Sequence, residues 1–528
     1  MPRVVIIFAA LHLAVLLLCF AAAAGAGTLV LGRDESFALR CAVGLALWAH
    51  ACVFLGVAGL LRAEVLLVLA LTAVAARVTR SAVLTVLALL PVGVLALYPP
   101  QAFDETLYHL PFVRAFAAQG GLIVLPALRF PVFPVLHELL CVPPFFLLGD
   151  SATHLVSLVE FIIVVLLLMT WAAEYDPRAS WLAAAMFIGS PLVIELATVL
   201  YVEIALTLFV VAGFYALGHR RYVLAGLFLG SACSVKYLGA WFAFAALAML
   251  VKRPRAAAVY ALTCAAAALP MTIWIFVQTR DIVFPYGRLT VWTPPKHLPD
   301  FARLPRLIWD VTFARERAGL QPPITPFLAV LVLLVIAGAI RDTRYRILLL
   351  LSAVYAGLYE FLPPDSRYLV PLLPLISVAA AVELARRWPK ATTFAAILAI
   401  APGLAYAGYR VVLQGVPPAT TAEQHAWLER RVPEYRAVRR AGAERLYACG
   451  GERLKAYAEG ELLGDVTGPH SYERVLAGAD GTRAIAERMR RIDARYFLVA
   501  KRRCASPRAD GGMDLIYEDD GAQLWRVR

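Results

Sequence analysis

Charge is what this sequence has least of. Of its 528 residues 16% are charged and 61% hydrophobic, and the mean hydropathy is +0.72. A soluble domain carries about 25% charged and about 45–50% apolar residues, so a soluble fold and a disordered chain are both excluded. Cysteine is sparse too: 8 in the whole chain rule out a secreted disulfide scaffold. Acidic residues number 37 against 50 Lys and Arg, which leaves a net charge of +13. On a soluble surface that excess would fit a nucleic-acid partner. Here the basic groups sit in short connections between apolar runs, where they set membrane orientation, and no nucleic acid is expected.

What the chain has in abundance is apolar runs. Crossing the hydrocarbon core takes roughly 20 apolar residues. Runs occur at 4–25, 41–61, 82–97, 152–171, 181–194, 204–217, 222–235, 238–251, 256–277, 326–340, 347–361, 369–385 and 391–412, with a shorter one at 65–76. The fold class is therefore an all-α polytopic membrane protein of about 13 transmembrane helices. Alternate connections carry basic clusters: Arg178; His219, Arg220 and Arg221; Lys252, Arg253 and Arg255; 341–346; Arg386, Arg387 and Lys390. Cytoplasmic loops are enriched in Lys and Arg, so the remaining connections, at 98–151, 190–203, 234–237, 278–323 and 362–368, are expected outside. Arg3 points to a cytoplasmic N-terminus; that requires an odd number of crossings before residue 98 and favours 65–76 not crossing. No cleavable signal peptide is expected.

After residue 412 the composition turns polar. Strand-like runs at 445–449, 495–499, 515–517 and 524–527, a helical stretch at 481–492 and a turn at Asp519, Asp520 and Gly521 predict a small C-terminal α/β domain outside the membrane. The division is 1–97 (N-terminal helices), 98–151 (first large outer loop), 152–412 (transmembrane core with outer loops 278–323 and 362–368) and 413–528 (extracytoplasmic α/β domain). Cys449 and Cys504, the tail's two cysteines, are candidates for a disulfide in an oxidising compartment, and the other six read as small core residues.

Ionisable groups at a membrane boundary are costly and mark function. They gather on the outer side: Asp104, Glu105, Tyr108 and His109, then His137 and Glu138, Glu195, Tyr201 and Glu203, Lys236 and Tyr237, and Asp365, Arg367 and Tyr368. Each has an ordinary reading. Asp104 fits a helix N-cap, and Glu105 with His109 a helical i, i+4 pair. Lys236 fits a snorkelling side chain, and Arg367 a partner for Asp365. Glu203, inside an apolar run, needs a partner. Their concentration on one face points to a site without naming its chemistry.

The order of these motifs resembles the GT-C superfamily of multi-spanning glycosyltransferases, which includes protein O-mannosyltransferases and the lipid A aminoarabinose transferase; a bacterial branch is most similar. There the first outer loop reads roughly W-D-x-x-x-Y-H-L-P, matched from Phe103 to Pro111 with Phe in place of Trp. F-P-P-L-x-E-x-L is matched from Phe133 to Leu140 with one proline lost, and Y-V-D by Tyr201, Val202 and Glu203. The G-x-x-x-G-x-x-x-x-x-K-Y hairpin resembles Gly226 to Tyr237, the G-N-P-x-Y-P-like segment Arg280 to Tyr286, and R-Y-L-x-P-x-L-P Arg367 to Pro374. The resemblance spans roughly residues 98–385.

The resemblance implies an inverting transfer of a hexosyl or pentosyl unit from a polyprenyl-phosphate carrier to an acceptor hydroxyl, at the outer face of a bacterial cytoplasmic (inner) membrane. Such a transfer needs one ionised carboxylate to take the acceptor's proton. It also needs positive charge where the leaving phosphate forms. The catalytic acid of the family maps to Asp104, with Glu105 second. Arg367 and Lys236 would hold the phosphate; Glu138 and Glu203, with Tyr108, His109, His137, Tyr237 and Tyr368, would line the substrate. No cofactor is firmly implied and no metal ligand is assigned; a divalent metal stays an open alternative. Partners implied are the lipid-linked donor, a lipid, glycan or protein acceptor, and the bilayer. The competing readings are a transporter or flippase, with its charges near the bilayer midplane on repeated halves, and a scaffold whose outer charges tolerate substitution.

Overall fold

The computed structural model describes residues 2–287, 291–292 and 298–528; positions 288–290 and 293–297 of the expected outer loop 278–323 lie outside the described residues. Among the described residues six helices are long and apolar enough to cross a membrane: Arg3–Leu31, Phe37–Val57, Asp150–Ala173, Pro254–Thr279, Ser366–Arg387 and Pro389–Gln414. Seven shorter apolar helices pack among them. Of the most apolar stretch of Asp150–Ala173, 83% of the residues are buried, so this helix is central to the bundle, whereas in Pro389–Gln414 the share is 17% and the helix is peripheral. Helices Pro2–Leu31 and Phe37–Val57 meet through small residues. A Cβ on Gly44 would come within 1.7 Å of the Ala23 carbonyl oxygen, so only glycine permits this approach.

The basic connections collect at one end of the bundle. Arg221 pairs with Glu35 and His219 with Glu174, 3.0 Å apart, while Arg178 pairs with Asp176 at 2.8 Å. Arg344 donates to the Tyr175 hydroxyl at 3.4 Å. Arg3 and these clusters, both expected on the cytoplasmic side, lie at opposite ends of the bundle. The first helix ends at the basic end, where Thr28 accepts from Arg40 at 2.9 Å, so Arg3 begins it at the opposite end. His12, further along the same helix, bonds Ser151 of the first outer loop at 2.9 Å. One arginine near a chain terminus carries less orienting weight than the paired clusters of several loops. Residues 65–76, expected not to cross, also connect the two ends. Leu61 N–H donates to the Gly120 carbonyl in the outer loop, and the Arg77 carbonyl accepts from Arg40. Helix Val65–Ala73 rises only about 13.5 Å of the roughly 30 Å core, and the non-helical residues 74–79 supply the rest.

The tail forms a five-stranded mixed sheet from β1 (Leu446–Cys449), β2 (Leu462–Leu463), β3 (Tyr496–Ala500), β4 (Met513–Glu518) and β5 (Ala522–Val527), in the order β2-β1-β3-β5-β4. β1 runs parallel to β2 and β3; β5 is antiparallel to β3 and β4. Helix Thr482–Arg491 covers the sheet with Ile485, Ala486 and Met489. The Asp519 carboxylate accepts from the Gly521 and Ala522 amides, both at 2.8 Å, and closes the β4–β5 turn. Cys449 and Cys504 are joined in a disulfide that ties the end of β1 to the loop after β3.

The tail is seated on the loops at the end of the bundle opposite the basic connections. Arg129 pairs with Asp465 at 2.8 Å, Tyr457 donates to the Pro100 carbonyl at 2.6 Å, and Lys455 donates to the Ala127 carbonyl. Gly468 N–H bonds the Val291 carbonyl. Burial, against the pull of Asp465, pushes the Lys455 ammonium down from 10.5 to about 8. Between these values the unfolded chain binds more protons than the folded one, so stability rises with pH from about 8 to about 10.5. Thermal unfolding of the full chain across that window is expected to show the rise, and Lys455→Met to flatten it.

Candidate active site

The turn that carries Asp104 sits at the end of the bundle where the tail is seated. Glu105–His109 wind as a single π turn between Asp104 and the helix Leu110–Gln119. The neighbouring carboxylates consequently face different surroundings. Asp104 meets Arg367, Oδ2 to Nη2, at 2.6 Å. Arg367 comes from the turn Ser366–Leu372, which Asp365 caps by accepting from the Arg367 amide at 3.1 Å; the second Asp365 oxygen lies 2.9 Å from Arg367 Nε. Glu203 opens the helix Glu203–Gly218, 3.6 Å from that same Nε, and accepts from Lys236 Nζ at 2.7 Å. Lys236 follows the helix Tyr222–Val235, where the chain turns extended.

Three carboxylates thus share two cations, and aromatic rings frame them. The Arg367 guanidinium stands 5.0 Å from the Tyr201 ring and 5.3 Å from that of Tyr368; Lys236 Nζ lies 4.4 Å from the Tyr368 ring. The Tyr201 hydroxyl accepts from the Asp104 amide at 3.1 Å. Tyr237 donates to the Phe284 carbonyl at 2.9 Å and meets Tyr286 edge-on, while Tyr108 is edge-on to Phe130 and Phe133. Asp104 and Arg367 are nearly buried, which strengthens every charge contact between them. Burial opposes ionisation of Asp104, but Arg367 first and His109 next hold its carboxyl below the usual range. Burial wins at Asp365, whose carboxyl is raised despite Arg367. The proton affinities of two carboxylates on one guanidinium are therefore driven apart, that of Asp104 down and that of Asp365 up.

Of the residues singled out from the sequence, the structure brings together Asp104, Tyr108, Glu203, Lys236, Tyr237, Arg367 and Tyr368. His109 and Glu138 stand behind them as a pair, Nδ1 to Oε1 2.5 Å. Glu105 and His137 are placed elsewhere. Glu105 accepts from the Gln101 and Ala102 amides at 2.8 and 2.9 Å with one oxygen, and from His154 at 2.6 Å and the Leu200 amide at 2.8 Å with the other. It is fully buried, and all four donors belong to the scaffold. His137 pairs with Glu160 at 3.0 Å inside the bundle. Sequence reasoning treated Asp365 only as a partner for Arg367 and assigned no role to Tyr201, Tyr286 or His154. Tyr201 stood in a quoted motif; nothing in the spacing pointed to His154.

The three carboxylates converge on a guanidinium rather than on one another. Among the described residues no group of three or more His, Cys, Asp or Glu side chains is arranged to hold a metal ion.

The architecture of most of the chain is similar to that in crystal structures of ArnT from Cupriavidus metallidurans. The apo form superposes with a TM-score of 0.54 at 13% identity, covering 84% of this chain and 97% of that one. The form bound to undecaprenyl phosphate gives 0.52 at 14%, covering 85% and 98%. The chain thus shares the fold of these ArnT structures. A family model designated SF2091/S2213 matches residues 423–526, which lie in the tail. No curated protein matches the sequence.

Proposed function

We propose that this protein is an inverting glycosyltransferase that moves a hexosyl or pentosyl unit from a polyprenyl-phosphate carrier to an acceptor hydroxyl at the extracytoplasmic face of a bacterial inner membrane. The observation that carries this reading is the Asp104–Arg367 pair, an ionised carboxylate on the guanidinium suited to a phosphate. The structural likeness to a protein crystallised with undecaprenyl phosphate supports the donor class. The collection of basic loops at the far end of the bundle supports an outward-facing site and tail. A transporter would place its charges at mid-depth; here they cluster at one end.

In this reading Arg367 and Lys236 receive the donor phosphate. Asp104 takes the acceptor's hydroxyl proton, the acceptor oxygen bonds to the anomeric carbon from the opposite side, and the bond from that carbon to the phosphate oxygen breaks. The polyprenyl phosphate leaves with the electron pair, so no acid need protonate it. Donor binding also prepares the base. While Arg367 holds Asp104, the carboxylate is ionised but weakly basic. A phosphate that draws the guanidinium toward itself raises the proton affinity of Asp104 once the acceptor needs a base.

The test is purified full-length protein in nanodiscs, given a pool of hexosyl and pentosyl polyprenyl phosphates with membrane extract as acceptor source. Release of free polyprenyl phosphate coupled to a mass gain in an acceptor is expected. Transbilayer movement of intact donor with no release would overturn the reading in favour of a flippase.

A further inference from the structure

A cavity of about 500 Å³ opens between the first outer loop and the tail, and the reaction described above makes no use of it. Pro99, Pro100 and Leu110 form one wall. They flank the π turn, so the cavity lies behind the loop whose other side presents Asp104. Tail residues 424–459 form the facing wall. The lining combines two kinds of surface. One is ring faces: Tyr435 and Tyr457 meet edge-on at 5.2 Å, and His425 stacks on Tyr435. The other is fixed planar hydrogen-bonding groups.

Arg114 is held from both sides. It pairs with Asp150 through Nε at 2.9 Å and Nη2 at 2.5 Å, and donates to the Ala456 carbonyl. Across the cavity Arg439 donates to His425 Nε2 at 3.0 Å, with Glu459 at 4.0 Å. Burial first, then Arg439, keeps His425 below its ordinary value and neutral near pH 7. Each arginine thus has a carboxylate beside it, which works against a free anion as ligand. Paired planar donors and acceptors with flat rings suit a neutral ligand rich in hydroxyls, offering both C–H faces and O–H edges.

We propose that this cavity is a saccharide-binding subsite that holds a distal sugar of the acceptor glycan, away from the reacting hydroxyl. Its role in transfer rests on the proposed function; its sugar binding does not. The acceptor would then be an extended glycan gripped jointly by the tail and the catalytic loop. Gln424 and Arg439 lie toward the rim of this cavity, where truncation leaves the fold in place.

The experiment is saturation-transfer NMR on the full chain in nanodiscs, without donor, using methyl hexosides, methyl pentosides and inorganic phosphate as separate probes. A saturable signal from at least one saccharide is expected. Gln424→Ala and Arg439→Ala should each weaken it roughly fivefold or more, the effect of one lost hydrogen bond to a charged or polar partner. Absence of any saccharide signal, a signal unmoved by both substitutions, or binding of phosphate alone would overturn the proposal. Sugar binding that persists in a protein showing no transfer would retain the subsite and reject the glycosyltransferase reading instead.

Discussion

Asp104→Asn is expected to lower sugar transfer by roughly 10²–10⁴-fold, the usual contribution of a general base, while the protein folds and binds polyprenyl phosphate as before. The amide keeps a hydrogen-bonding oxygen for Arg367 but accepts no proton from a hydroxyl. Transfer measured by polyprenyl phosphate release, beside a thermal unfolding curve and a binding isotherm for free polyprenyl phosphate, separates chemistry from folding and from affinity. Removing a negative charge from Arg367, which three carboxylates now share, should leave phosphate affinity equal or tighter. Arg367→Met should do the reverse. It takes the guanidinium from Asp104 and Asp365 and leaves Glu203 with Lys236 alone, and donor affinity falls. Undiminished transfer in Asp104→Asn would remove Asp104 from the reaction.

The second large effect belongs to Glu105, and it is a loss of stability. Both its oxygens are occupied, by two backbone amides on one side and by His154 and a third amide on the other. The second ring nitrogen of His154 faces the Ala96 carbonyl at 3.1 Å, so this imidazole has acceptors on both sides. Glu105→Gln puts an NH2 where two donors already point and leaves His154 without its carboxylate. Breaking a buried pair from one side costs about 3–5 kcal/mol, read as a lower denaturation midpoint in detergent. A Glu105→Gln protein that unfolds like the wild type yet transfers no sugar would move the base by one residue.

These two neighbours show what the sequence conveys and what it withholds. Asp104, Glu203, Lys236 and Arg367 were legible because a charge beside an apolar run must find a partner, and partners of opposite sign lay in other outer connections. Which carboxylate faces the site was not legible, since adjacent residues differ in direction and the π turn at 105–109 has no signature in residue type. Pairings such as His137 with Glu160 join separate helices at depths that hydropathy does not report. Of the fold, the apolar runs, the basic loops and four of the tail's five strands were readable; the two-residue β2 was too short to show a pattern. The passage of residues 65–77 from one end to the other was not, because its helix has only 9 residues and the remainder is non-helical, too short together to register as a span. Arg3 was a single charge where the orienting signal is collective.

The short turn Glu452–Tyr457 packs against the π turn that follows Asp104, with Tyr457 fastened to Pro100 and Lys455 to Ala127. Chain order gives this contact a consequence during biosynthesis. The catalytic loop is made and inserted early, while its packing partner is translated more than three hundred residues later, a separation of 357 positions between Tyr457 and Pro100. Until the tail has been made and has folded, the loop lacks its packing partner on that side. A chain truncated by a stalled ribosome therefore holds the Asp104 turn without the tail residues that pack against it, and on the proposed function competence would be reached only by chains that have been finished.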